Sequence, residues 1–201
     1  MKNTIWFIMA LPVIFGSCTM IGSLNALSED KNQFVFKKEF IGNWKDPKDA
    51  QESFHVDTIA GSSGKLYVIE ELTRQEKDSS RVDTLYFLGR LVNIGEWQYL
   101  DCQADRDKML AGNKGMPDLL VSKHFIFKVA FNGSEKLELT APDAEELLKL
   151  INAGKVKLHY MSLKKDEYLI LSSSSELQRA AAALNKFPQV YKDKTEFTRS
   201  G

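Results

Sequence analysis

Cysteine is scarce in this chain: Cys18 and Cys102 are the only two in 201 residues, which excludes a disulfide-stapled scaffold. With 5 Pro and 12 Gly, collagen-like and low-complexity architectures are excluded too. Excess charge of one sign is also missing, since 27 basic residues face 27 acidic ones. No net field draws the chain to nucleic acid, which is not an expected partner. The three histidines, His55, His124 and His159, show neither His-x-His nor His-Glu-x-x-His spacing, so neither a metal site nor a cofactor is expected. There is no Gly-x-Ser-x-Gly elbow, and Gly61 and Gly64 sit between two strand patterns rather than opening a phosphate-binding helix. Cys102 follows Asp101 instead of a base, a setting that does not activate a thiol. No catalytic residue is assigned, and the expectation is a protein that is not an enzyme. Long hydrophobic runs are missing as well. The N-terminal run, residues 5–15, is interrupted by Pro12 and far short of the ~20 residues a bilayer-crossing helix needs. What is present is 43% hydrophobic and 27% charged residues, an ordinary globular composition able to build one sizeable core.

Residues 1–17 have the three parts of a secretory signal: Lys2, the apolar run 5–15, and small Gly16 and Ser17 before Cys18. Phe15-Gly16-Ser17-Cys18 resembles the lipobox of bacterial lipoproteins, although Phe15 stands where Leu is commonest. The resemblance implies cleavage before Cys18, attachment of a diacylglyceryl group to its thiol, and a membrane partner through that anchor. Three acyl chains in all would hold the protein firmly, because one chain alone binds only marginally. Thr19 rather than Asp follows Cys18, so the resemblance points to the outer membrane of a Gram-negative cell, with the leaflet's facing left open. Residues 18–33, rich in Ser, Asn and charge, read as the lipidated cysteine and a flexible tether. Residues 34–201 read as one β domain.

From residue 54 to 170 apolar residues alternate with polar ones, punctuated by turn clusters, the pattern of antiparallel strands. Expected hairpins join 53–59 to 66–72, 82–92 to 96–102, and 123–131 to 136–140 across Asn132-Gly133. Two further strands are expected over 155–160 and 167–171. Helical spacing places Ala144, Leu147, Leu148 and Ile151 on one helix that stops at Gly154. A second carries Leu177, Ala180, Ala181 and Leu184 behind a Ser173 to Glu176 capping box. Both helices are expected to shield sheet edges. Residues 104–120 form the longest connection between strands and are the candidate functional loop.

Gly42-Asn43-Trp44 resembles the Gly-x-Trp opening of lipocalin-like proteins, in which the tryptophan closes the base of a β-barrel; Gly95-Glu96-Trp97 is a second instance. The resemblance implies a mainly β fold, an antiparallel sheet closing into a lipocalin-like barrel of about eight strands, with two helices in the C-terminal third and Trp44 as the closing residue. Such an interior either fills with side chains or holds one small apolar ligand. Some of the aromatics Phe54, Tyr67, Phe87, Tyr99, Phe125 and Phe127 would line it. The two expectations for function follow: an envelope lipoprotein binding an apolar small molecule, or a non-catalytic module with a filled core that meets an envelope protein.

Overall fold

Alternation along the chain becomes a closed wall in the computed structural model, which describes residues 20–49, 52–62, 64–75, 78–112 and 123–200. The expected signal segment 1–17 and Cys18 lie outside the described residues. Two short strands, β1 (Met20–Ser23) and β2 (Phe34–Val35), come first. Seven strands follow: β3 (Gly42–Lys45), β4 (Glu52–Thr58), β5 (Tyr67–Gln75), β6 (Asp78–Ile94), β7 (Trp97–Ala104), β8 (His124–Asn132) and β9 (Lys136–Thr140). The chain then leaves the barrel through α2 (Ala144–Asn152), β10 (Tyr160–Lys164), β11 (Glu167–Ile170) and α3 (Ser174–Leu184) before returning as β12 (Lys194–Ser200); α1 (Arg106–Gly112) precedes β8.

Consecutive antiparallel pairing runs from β3 to β9, and β12 inserts between β9 and β3, closing an eight-stranded antiparallel barrel. Closure removes the unpaired backbone edges that an open sheet would expose. The three expected hairpins are all present, with Phe54 and Val56 of β4 pointing inward as their shared face requires.

A second apolar layer lies outside the wall. Strand β7 is buried on both faces: Leu100 and Cys102 enter the barrel, whereas Tyr99 packs outward against α3. Helix α2 is capped by Asp143, whose carboxylate accepts from the Glu146 N–H, and α3 by the expected Ser173–Glu176 box. Leu147 and Leu150 of α2, with Leu177, Ala181 and Leu184 of α3, join Val92 and Tyr99 in this layer. The helices therefore cover the barrel's outer face rather than its edges. Leu150 takes the buried position that helical spacing assigned to Leu148, which is only half-buried.

Two readings of chain organisation change. Residues 20–33 are built into the fold rather than forming a tether: β1 pairs in parallel with β11 over four residues, and Leu27 and Ser28 are buried. Gly22 and the serines made this stretch look solvated, but Gly22 and Ser23 are themselves buried, where small residues let strands approach. The expected strand 155–160 is irregular until Tyr160. Val156 and Leu158 are buried as their alternation implied, yet strand pairing begins one segment later, in β10.

Candidate functional site

The Gly-x-Trp segment shows why those residue types are needed where the first and last strands of the barrel meet. Trp44 is fully buried, and its indole N–H donates to the Phe40 carbonyl at 2.9 Å. The Arg199 guanidinium lies 4.7 Å from its ring and donates to the carbonyls of Glu39, Ile41 and Ser134. Gly42 holds a φ of +134°, and a Cβ there would come within 2.3 Å of Arg199 Nη1. Glycine is required both for its backbone angle and for the space it leaves. Arg199 thus ties the last strand to the segment before β3 and to the β8–β9 turn. The second Gly-x-Trp behaves differently, since Gly95 makes the β6–β7 turn and Trp97 remains 42% exposed beneath the Lys128 ammonium.

Of the six candidate aromatics for the interior, Phe54, Tyr67, Phe87, Phe125 and Phe127 line it; Tyr99 is on the other face of β7, its hydroxyl donating to the Ala181 carbonyl. Together they leave a void of about 10 Å³, ringed by Phe40, Phe54, Phe87 and Phe127 among others. That is room for about one water molecule. A second space of about 60 Å³ lies between the helices and the outer wall, beside Ile21, Ile126 and Leu184.

The inward face of β5 continues Tyr67, Ile69, Glu71, and Glu71 is the interior's anomaly. Its side chain is 3% exposed, and among the described residues neither carboxyl oxygen has a hydrogen-bond partner. Burial, reinforced by Glu52, pushes its pKa up to about 8. Glu52 is raised to about 7 by its own burial and by Asp49 and Asp46. Glu71 is therefore a neutral acid at neutral pH, as an apolar surrounding demands. Cys102 is buried, and that burial, with Asp101 and Glu71 nearby, pushes its thiol well up. It is an unreactive thiol in a packed wall.

Asp101 and His124 meet on the outer side of the same wall. His124 Nδ1 lies 2.7 Å from Asp101 Oδ1, while Asp101 Oδ2 accepts the Leu27 N–H at 2.7 Å. This pair pins the N-terminal stretch to β7 and β8. His55 sits apart, against Asn43, and the backbone N–H of His159 donates to Ser172. The three histidines are not brought together. Among the described residues no group of three or more His, Cys, Asp or Glu is placed to hold a metal ion. Nor is any helix among them long and apolar enough to cross a membrane.

The candidate loop 104–120 is in part helical. Residues 106–112 form α1, whose Met109 is buried and whose Lys108 reaches the Tyr86 ring, while residues 113–120 lie outside the described residues. Glu71 went unassigned in the sequence, although its in-phase position after Tyr67 and Ile69 marks it as inward-facing. Comparison with family models, with curated proteins and with solved structures found no match.

Proposed function

We propose that this chain is a lipoprotein of the bacterial envelope, held in the outer membrane through acylated Cys18, whose lipocalin-like barrel works through its surface around a filled core. The anchor rests on Phe15-Gly16-Ser17-Cys18, and the observation that carries the surface-acting barrel is the interior void of about 10 Å³. Sites for small molecules commonly enclose about 300 Å³ or more. Phenylalanines occupy the volume an apolar ligand would need, so the interaction module is favoured over the carrier. Trp44, clamped by Arg199, closes one end of that packed barrel. No catalytic step belongs to this reading: Cys102 is a protonated buried thiol, and the Asp101–His124 pair does structural work.

Metabolic labelling with radioactive palmitate and membrane fractionation test the anchor. The full chain should incorporate label and sediment with outer membranes, and Cys18→Ser should abolish both; unchanged sedimentation of the variant would refute the anchor. Titration with an apolar fluorescent probe tests the filled core. No saturable one-to-one binding is expected, and stoichiometric binding lost on filling substitutions inside the barrel would return the carrier reading.

A further inference from the structure

If Cys18 carries the lipid, a single residue, Thr19, separates it from the first residue of β1. Two residues reach about 7 Å at most, so the barrel cannot float away from the bilayer as a tethered domain would. β1 is also held in place: its pairing runs Met20↔Glu167 to Ser23↔Ile170, and the Leu24 N–H donates to the Ile170 carbonyl. The first of those pairs puts the tip of the β10–β11 hairpin beside the point where the chain leaves for its anchor. The tip turns at Lys165 and Asp166, with Asp166 at a φ of 60°.

Met161 is 45% and Leu163 41% exposed, on a strand at the end of the sheet that, among the described residues, pairs only with β11. Leu24, Phe36, Trp97 and Leu171 are exposed to a similar degree, and what sets this hairpin apart is its place beside the residue that leads to the anchor. Around Met161 and Leu163 the tip carries Lys164 and Lys165 against Asp166 and Glu167, and Glu167 pairs both with Lys164 and with Lys123, the residue before β8. Exposed apolar side chains flanked by long basic ones suit the boundary between lipid headgroups and acyl chains.

We infer that the β10–β11 hairpin is a membrane-seating element: Met161 and Leu163 rest in the interfacial layer of the bilayer that holds Cys18, fixing the orientation of the barrel. This rests on the acyl anchor proposed above and deepens it. A second copy of the chain is a weaker occupant, because Lys164 and Lys165 on and beside the edge strand oppose strand addition.

The test uses the full acylated protein, with an environment-sensitive fluorophore at Leu163→Cys or, as control, at Asp57→Cys, an exposed position on β4, which lies five strands from β1 in the sheet order. Cys102 is buried and stays unlabelled. In phosphatidylethanolamine and phosphatidylglycerol vesicles, the label at 163 should shift to the blue and be quenched at least twofold more by headgroup spin-labelled lipid than the label at 57. Equal quenching of the two sites in a protein that is acylated and vesicle-bound would overturn the seating while leaving the anchor intact. Absence of acylation would overturn both. A label at 163 that is equally shielded in detergent without vesicles, in a protein sedimenting as a dimer, would assign the hairpin to a second copy and overturn the seating.

Discussion

The barrel interior and the layer outside it are both apolar and both buried, yet they treat a buried carboxyl in opposite ways. Inside, the wall strands and Phe40 supply nearly all the packing, and the one buried carboxyl, Glu71, has no partner among the described residues. Outside, buried polar groups are joined: Asp101 bridges the Leu27 N–H and His124, Ser172 accepts from the His159 N–H, and Ser23 from the Asn25 N–H. The interior is made by one continuous wall, and among the described residues its links are confined to the segment before β3, where Trp44 donates to the Phe40 carbonyl and the Lys37 N–H to the Tyr67 hydroxyl. The outer layer gathers separate stretches, 20–33, the back of β6–β8, and residues 144–191, so directional bonds set how they meet.

Removing packing where Arg199 lies over Trp44 should do the most damage. Trp44→Ala is expected to cost about 3 to 5 kcal/mol in denaturant unfolding, with near- and far-ultraviolet signals lost together because both layers share β7. Two separated transitions would show that the outer layer holds by itself. Glu71→Gln should act in the other direction. The unfolded chain releases this proton near 4.5, whereas the fold keeps it until about 8. The folded state therefore binds the extra proton in between, and its stability falls as pH rises through that window, with the full penalty reached above about 8. Thermal melts should show the variant stabilised at pH 8, on the order of a few kcal/mol, and almost unchanged below 4.5; an identical pH profile for both proteins would show that Glu71 is not a buried neutral acid.

Asp101→Ala, on the outer side, should cost about 1 to 3 kcal/mol by leaving the Leu27 N–H unpaired. Hydrogen exchange should accelerate first at Leu27, and exchange that stays slow there would mean the stretch is held by other contacts. The smallest effect is expected at the α3 cap, where Ser173→Ala should cost about 1 kcal/mol and raise exchange in the first turn of α3 without reaching β4 or β5.

Patterning made the hairpins 53–72, 82–102 and 123–140 legible, because each repeats an inward aromatic or aliphatic residue at every second position. The closing strand β12 escaped notice: Phe197 is its only fully buried side chain, among Lys, Thr, Glu and Arg, so no alternation announces it. β3 is four residues long, too short to show a period. β1 and β10 are placed by pairing with chain more than a hundred residues away or by an edge position that leaves Met161 and Leu163 outside, neither of which a local window contains. Trp44 could be singled out from the sequence, but its partner Arg199 could not, since only barrel closure brings the two ends of the domain together.

Native mass spectrometry of the full chain, purified in mild detergent from the cells that express it and followed by organic extraction, tests the filled barrel most directly. The predicted result is the polypeptide, with any acyl groups bound covalently, and no other ligand. A stoichiometric lipid or other apolar molecule that stays bound through desolvation would contradict it.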